Sequence, residues 1–444
     1  MRRTLVAGWG GAVGLLVALA APARAQWFGW DARSTGMGGI VLHRNGGLES
    51  FNVAYRSVPR REGVQGAKLT LPIPLGILQA LKDSVAFNFD SSYFNPIALA
   101  NYILNPPVFY QLKQPPRPNN DAYLFIGKDS LVVDLGATKE IIPTDEVKVA
   151  GVNRLLNLGA GFAGGFHAGV TLWEHHKLGF TLNDSLQSFL FGNPARNNTL
   201  YAVNGNEIAQ MGIAPGVSFS HKLASVGTGG LYGGAGVNYY LGFVHGVAVG
   251  FAGLRTTDTI FKADSALVRT DFATEYNKFG TGLGHGIGVD FGLAWVTDKV
   301  EIGLGINDVS TTLTWPESRV GHFVYDTTNN DFREVNETTV KDRTTKVPTT
   351  YLLNAAFEVG TNTTAGAEVR NAGFGSVIRI GVEHRIGPLA LRGGLNRDLR
   401  KILQFAAGTG LRFGPFSLDV AVASNSNSLS TSRGWILASS FSVY

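Results

Sequence analysis

Strict alternation of apolar residues with small or polar ones constrains the fold of this 444-residue chain more than any other feature. Between residues 286 and 295, Ile287 and every second residue after it are apolar, whereas glycine, alanine and Asp290 occupy the positions between them. A period of two places these two sets on opposite faces of a β-strand. The pattern resumes after a short turn at 297–299 and recurs to the end of the chain. We therefore expect an all-β protein whose strands are antiparallel and joined by turns.

The charged residues fall on the face opposite the aliphatic ones. In the stretch 376–386, Ile378 and Ile380 share one face, and Arg379 and Glu383 share the other. A water-soluble sandwich turns its apolar face inward, whereas a membrane barrel turns it towards lipid and keeps its charges in the lumen. The charges expected to face the lumen are Asp290, Glu301, Glu368, Arg370, Arg379, Glu383, Arg385, Arg392 and Asp419. We interpret them as ion pairs between adjacent strands, with a polar passage as the alternative.

The N-terminus has the features of a cleaved secretory signal peptide over residues 1–25. Arg2 and Arg3 precede an apolar stretch, and Ala23-Arg24-Ala25 has the small-x-small pattern of a cleavage site. Removing three arginines and no acid lowers the formal charge from +5 to +2, so basicity gives no support to nucleic-acid binding. The chain contains no cysteine, which excludes disulfides and thiolate metal sites.

Export and strand pattern together predict a β-barrel of the bacterial outer membrane. No apolar stretch after the signal reaches the ~20 residues that a membrane-spanning helix needs. Tight turns such as Gly387-Pro388 and Gly414-Pro415 fall at one end of the strands, and long polar connections at 256–280 and 317–346 fall at the other. Outer-membrane barrels show this asymmetry. We expect about fourteen strands, a count limited by the precision of strand boundaries read from a sequence.

The mature chain divides into three parts on this interpretation. Residues 26–66 form an irregular N-terminal segment, and 67–130 form a proline-rich, partly helical insertion outside the barrel wall. Helical pieces are expected there at 75–81 and 97–104. Residues 131–444 then form the transmembrane barrel.

The start of the mature chain resembles a known family. Residues 31–39, read as Asp-Ala-Arg-Ser-Thr-Gly-Met-Gly-Gly, are similar to the opening of FadL-type outer-membrane transport proteins and of the related PorV-like and TraF-like barrels. At 52–54 this chain has Asn-Val-Ala, where FadL members have Asn-Pro-Ala. The resemblance implies a fourteen-stranded barrel whose N-terminal segment folds back as a plug. The implied plug-turn residues are Ser34, Gly36, Met37, Gly38, Gly39 and Asn52.

Two functions follow from this resemblance. The first is passive uptake of hydrophobic small molecules of the fatty-acid or hydrocarbon type, gated by the plug. The second is a barrel that does not transport but binds protein partners, as a PorV-like secretion component does. Besides lipid, the barrel-assembly machinery is an expected partner, because the terminal Tyr444 matches the aromatic residue it reads.

Candidate ligand contacts lie in the N-terminal segment. Its aromatic residues either line a hydrophobic pocket between plug and wall or form the packing of the plug itself. These residues are Trp27, Phe28, Trp30, Phe51 and Tyr55. Within the same segment, Arg33 is expected to pair with a luminal acid, Glu368 or Glu383.

Catalytic and metal-binding motifs receive little support. Glu174-His175-His176 suggests a metal site, but adjacent histidines on a strand point to opposite faces, so we interpret the motif as a polar hairpin turn. No arrangement of serine, histidine and aspartate stands out. We therefore expect neither an enzyme nor a bound cofactor or metal.

Overall fold

The computed structural model describes residues 31–43, 50–59, 69–72, 108–111, 123–126, 131–134, 147–190, 193–256, 267–277, 282–326, 331–399, 401–424 and 434–443. Helix is scarce among them. The α-helices are α1 (Ala32–Gly36) and α2 (Asp184–Leu190), and 3₁₀ turns occur at Val53–Ser57 and Ala163–Gly165. None of the helices in the described part of the chain is both long and apolar enough to cross a membrane.

Strands make up almost all of the remainder. They are β1 (Leu69–Pro72), β2 (Val108–Gln111), β3 (Tyr123–Ile126), β4 (Leu131–Asp134), β5 (Val147–Gly161), β6 (Phe166–Leu182), β7 (Leu200–Val226), β8 (Gly229–Arg255), β9 (Leu267–Asn277), β10 (Gly284–Val296), β11 (Val300–Asp326), β12 (Asp331–Lys346), β13 (Thr350–Val359), β14 (Thr363–Asn371), β15 (Ser376–Ile386), β16 (Leu389–Arg397), β17 (Leu403–Phe413), β18 (Phe416–Ser424) and β19 (Gly434–Val443). Seventeen of them form one sheet, and β3 and β4 form a separate hairpin.

The large sheet is antiparallel and follows chain order. Neighbouring strands pair from β5 to β8, and β8 then pairs with β9 and with β10 at different levels. Both β9 and β10 pair with β11, which in turn pairs with both β12 and β13. From β13 the strands pair in sequence to β19, and β19 pairs with β1 and β2. Three positions in the sheet are thus each shared by two successive strands.

The insertion at 67–130 differs from its expected place outside the wall. It supplies β1 and β2, which extend the large sheet beside β19. Proline does not prevent this, because Pro72 is the last residue of β1 and proline is tolerated at the ends of strands and on sheet edges. The helical pieces expected at 75–81 and 97–104 lie outside the described residues.

Two connections expected to be long loops contain strands. The stretch 256–280 contains β9, and 317–346 contains the end of β11 and all of β12. Almost every described side chain of β12 is exposed, so neither of its faces needs to be apolar and the sequence shows no alternation. The motif Glu174–His176 likewise lies within β6 and not in a hairpin turn.

The two faces of the sheet differ in chemistry. Residues 31–43 and 50–59, which we call the inner segment, pack on one face, and this face is called the inner face below. On β15 the inner positions Arg379 and Glu383 are buried, while Ile378 and Ile380 on the outer face are 40% and 55% exposed. The apolar side chains of the large sheet, which we also call the wall, therefore point away from the inner segment.

The two ends of the strands also differ. Tight turns occur at 227–228, 297–299, 360–362, 387–388 and 414–415, and all lie at one end, which we call the turn end. The longer connections lie at the opposite, loop end.

Candidate functional site

The inner segment begins with the short helix α1. Asp31 caps it by accepting a hydrogen bond from the backbone N–H of Arg33 at 2.9 Å. The helix ends in a turn that contains Gly38 and Gly39, whose φ angles of +73° and +89° favour glycine. The sequence Ser34–Gly39 thus forms one helical turn followed by a reversal of the chain.

Glycine permits this turn to touch the backbone of the wall. A Cβ atom on Gly36 would lie 2.9 Å from the Cα atom of Gly408, and one on Gly38 would lie 2.7 Å from the carbonyl oxygen of Leu395. These distances are shorter than a carbon atom tolerates. Met37 is buried between these glycines and packs with Ile40. The inner segment and the sheet are therefore in direct backbone contact.

Arg33 joins the inner segment to a buried cluster of charges. Its guanidinium donates to both carboxylate oxygens of Glu383, at 2.8 and 2.5 Å. Arg385 and Arg392 also bind Glu383, at 3.0 and 2.7 Å, and Arg392 pairs with Asp419 at 2.7 Å. The sequence predicts that Arg33 pairs with Glu368 or Glu383, and in the structure it pairs with Glu383. Removal of Arg33 still leaves Glu383 with two cationic partners.

A second acid collects the other arginines of this region. Glu368 pairs with Arg379 at 2.5 Å and with Arg370 at 3.0 Å. The guanidinium of Arg370 also lies 4.0 Å from the ring centre of Phe51 in a cation–π contact. Of the predicted inward charges, Glu301 is buried as well. The acids and arginines of β14, β15 and β16 thus neutralise one another beneath the inner segment.

Asn52 fixes the second half of the inner segment. It caps the 3₁₀ turn by accepting from the N–H of Ala54 at 3.0 Å, and its side-chain N–H donates to the carbonyl oxygen of Leu293 at 3.0 Å. In the same turn, Tyr55 stacks on His43 with ring centres 4.7 Å apart. Asn354 donates to the Tyr55 hydroxyl at 2.7 Å.

The proposed ligand contacts occupy different surroundings. Tyr55 is buried and in contact with His43 and Asn354, so its neighbours belong to the protein's own packing. Phe51 is half-buried beneath Arg370. Trp27, Phe28 and Trp30 lie outside the described residues.

Arg154 connects β5 with more distant strands. Its guanidinium donates to Asp290 at 2.7 and 2.8 Å and to Asp308 at 2.9 Å, and it also donates to the carbonyl oxygen of Ser50 at 2.8 Å. Asp308 sits at an irregularity of β11 with a φ angle of +60°. One buried side chain thereby joins β5, β10, β11 and the inner segment.

Next to Arg154 the inner face carries an apolar cluster, which we call the aromatic cluster. Its members are Val152, Trp173, Ala214, Tyr240, Leu313, Trp315 and Val347. The Tyr240 hydroxyl donates to Asp308, and the ring of Tyr240 meets Trp173 edge-on at 5.2 Å. Trp315 lies where Cβ atoms of Gly242 and Gly284 would otherwise stand. Sequence reasoning did not find this cluster, because its members come from five separate strands and from the connection that follows β12.

A hydrogen-bonded chain lies beside the aromatic cluster. His175 contacts Gln210 at 3.2 Å, Gln210 contacts His245 at 3.3 Å, and His245 contacts Glu275 at 3.1 Å. Arg343 then donates to Glu275 at 2.9 Å. We call these five residues the relay. The register of β6, β7, β8 and β9 brings the first four together, and Arg343 reaches them from β12.

The relay lies beyond the apolar part of the outer face. The outward neighbours of His175 and Gln210 include the acids Glu174 and Glu207. Burial lowers the pKa of His175 to about 4, although its hydrogen bond to Gln210 opposes this effect. His175 is therefore neutral at ordinary pH. The described residues contain no group of three or more histidines and acids that could hold a metal ion.

Comparisons with known proteins identify no relative by sequence. No family model matches the chain, and no curated protein matches it. Among solved structures, the toluene transporter TbuX of Ralstonia pickettii is 12% identical, with a TM-score of 0.32 over 67% of this chain and 85% of its own. The monoaromatic hydrocarbon channel CymD is 12% identical, with a TM-score of 0.33 over 69% and 90%. The toluene transporter TodX of P. putida is 12% identical, with a TM-score of 0.29 over 69% and 90%.

Proposed function

We propose that this chain is a fourteen-stranded outer-membrane β-barrel that passively admits hydrophobic small molecules, with the inner segment as its plug. The seventeen strands of the large sheet occupy fourteen positions, because three positions hold two strands each. Closure of this sheet removes its two edges, which would otherwise stay unpaired.

The outer face supports membrane insertion. Its apolar side chains are exposed over many neighbouring strands, which a water-soluble protein avoids. Exposed aromatic residues also cluster beside the tight turns: Phe162, Phe166, Phe357, Phe413 and Phe416. Such a ring of aromatic side chains marks a membrane interface in barrels of this type. We place the turn end in the periplasm and the loop end outside the cell.

The aromatic cluster carries the choice of substrate. A channel for water-soluble solutes has a polar interior. Here Trp173, Leu313 and Trp315 are buried against one another on the inner face towards the loop end, so the interior of the protein is apolar at this level. An apolar interior suits molecules that leave water readily, such as aromatic hydrocarbons and fatty acids.

Uptake measurements test this function directly. Cells that produce the protein should take up toluene or oleate faster than cells of the same strain without it. Uptake should need no energy source, and its rate should saturate as the concentration of the compound rises. In a second test, an introduced disulfide tethers residues 31–43 to β16, and this variant should take up both compounds more slowly. The same variant with the disulfide reduced is its control and should regain normal uptake. Equal uptake with and without the protein, across both compounds, contradicts the proposal.

A second candidate function is docking of a protein partner at the loop end. The exposed strand β12 favours it, because both of its faces are available to a partner. Capture of a defined secretion component by the purified barrel, lost when residues 327–342 are deleted, would support this function. The insertion at 67–130 lies mostly outside the described residues and is a second docking surface on this proposal.

A further inference from the structure

The hydrogen bonds of the relay from His175 to Glu275 all point in one direction, which the carboxylate of Glu275 determines. The carboxylate of Glu275 can only accept, so the Nε2 atom of His245 carries a hydrogen and its Nδ1 atom is a bare acceptor. Gln210 donates to that Nδ1 through its Nε2 atom, which leaves its oxygen facing His175. The Nδ1 atom of His175 therefore donates to Gln210. It follows that the Nε2 atom of His175 is an acceptor.

This acceptor has no partner among the described residues. The Nε2 atom of His175 is buried without a hydrogen bond, and so is the Nε1–H donor of Trp173, two residues earlier on the same face of β6. The two residues are only 2% and 1% exposed. A buried polar group without a partner costs about 1–3 kcal/mol, and most such groups in proteins have one. One unpaired donor and one unpaired acceptor thus belong to side chains two residues apart on the same face of β6.

A hydroxyl group matches this pair. It can donate one hydrogen bond and accept another, so a single oxygen satisfies both Trp173 and His175. The Cα atoms of residues two apart on a strand are about 6.6 Å apart, and two hydrogen bonds of about 2.9 Å each to one oxygen are similar in total length, so side chains at this spacing can share a hydroxyl. A carboxylate only accepts and leaves His175 unpaired, whereas a hydrocarbon leaves both groups unpaired.

The side chain of Phe374 indicates where a ring belongs. It comes from the connection between β14 and β15 at the loop end and stacks on His175, with ring centres 5.8 Å apart and planes at 15°. Gly373 and Gly375 flank it with φ angles of +80° and +132°, so the connection turns sharply on both sides of the ring. Phe374 is half-buried, unlike His175. An aromatic ring arriving from outside can replace it in the same stacking position.

We infer that the inner face beside Trp173 and His175 binds a hydroxylated aromatic molecule of the phenol type. Its ring takes the stacking position that Phe374 fills, and its hydroxyl donates to His175 and accepts from Trp173. This inference rests on the proposed uptake function and narrows its substrate class from hydrophobic molecules in general to aromatic alcohols.

Binding to the purified, folded barrel tests the inference. Calorimetric titration with phenol, toluene and benzoate should give an affinity for phenol about 5- to 10-fold higher than for the other two, the effect of one net hydrogen bond. Trp173→Phe keeps an aromatic ring but removes the donor, so it should abolish most of this preference. The matched control is Trp295→Phe, because Trp295 donates to Val226 near the turn end. The control should bind phenol as the parent protein does.

A second variant tests the place of the ring. Phe374→Ala removes the competing side chain and should raise the affinity for phenol while leaving the phenol preference intact. Heat-dependent migration on gels establishes that each variant is folded.

Several results would overturn the inference. Equal affinities for phenol and toluene, or an unchanged preference in Trp173→Phe, would mean that no hydroxyl is recognised and that water satisfies these atoms. A loss of phenol binding in Phe374→Ala would show that Phe374 contacts the bound phenol and does not occupy the position of its ring. Toluene uptake by cells separates the two proposals. If toluene enters cells but phenol is not preferred, only this inference fails, whereas loss of uptake of both refutes the proposed function.

Discussion

At the residue scale, glycine acts in two distinct ways in this molecule. Gly38 and Gly360 share a φ angle of +73°, so both have a backbone conformation that other residues adopt at a cost. A Cβ atom on Gly360 would meet nothing within 4 Å, whereas one on Gly38 would collide with the backbone of Leu395. Conformation alone explains Gly360. Conformation and close contact together explain Gly38.

This difference makes Gly360 a matched control for Gly38. Gly360→Val should lower the free energy of unfolding by about 1–2 kcal/mol, from the unfavourable φ angle alone. Gly38→Val should add a further ~1–3 kcal/mol from the collision, or displace the inner segment. The temperature midpoint of the shift in gel migration measures the first effect, and protease cleavage within 31–43 measures the second. Equal effects of the two substitutions would show that the inner segment is not in contact with the wall.

The contact of Arg33 with Glu383 should also exceed an exposed ion pair in strength. Arg33→Met should destabilise the docked inner segment by about 1–3 kcal/mol, because it removes two hydrogen bonds to a buried carboxylate. The loss stays below that of a fully orphaned charge because Arg385 and Arg392 remain. Arg319→Met is the control, since Arg319 pairs with Glu337 in water and such pairs contribute about 0–1 kcal/mol. Protease protection of the inner segment distinguishes the two variants, and equal protection would contradict the expectation.

At the scale of elements, a strand can be recognised in the sequence only where its two faces have different surroundings. On β15 one face is buried and the other is apolar, so Arg379 and Ile380 alternate visibly in the sequence. On β12 water reaches both faces, and the sequence looks like a loop. The relay was missed for a different reason. Its residues become neighbours only through the pairing of five strands, and His175 alone resembled part of a polar turn.

Cysteine labelling tests this account of β12 cleanly, because the chain has no cysteine of its own. Thr338→Cys and Thr339→Cys point to opposite faces, and both should react with a membrane-impermeant maleimide on intact cells. Ile380→Cys on the outer face of β15 should stay unlabelled because lipid covers it on the proposed function. Labelling at only one of the two threonine positions would mean that a covered face exists at the loop end.

At the scale of the whole molecule, the inner segment is the main candidate for control of passage. Deleting 26–66 should leave the barrel folded, since the sheet pairs without it and Arg154 keeps both aspartates after losing Ser50. The shortened protein should admit small dyes that the full chain excludes. Dye entry into proteoliposomes measures this, and full-length protein in the same vesicles is the control. If permeability and ligand uptake both stay unchanged, the segment is not a plug.

The pairing of β1 with β19 has a consequence for the order of assembly. Among the described strands β1 is the first and β19 the last, and the inner segment comes before β1 in the chain. The position beside β19 cannot be filled until this ten-residue strand has been synthesised. If the sheet closes here, as the proposed function requires, it encloses the inner segment, whose backbone lies against β16 and β17. On the proposed function we therefore expect the inner segment to dock on β16 and β17 before β1 pairs with β19, because a segment that docks later has no open side through which to enter.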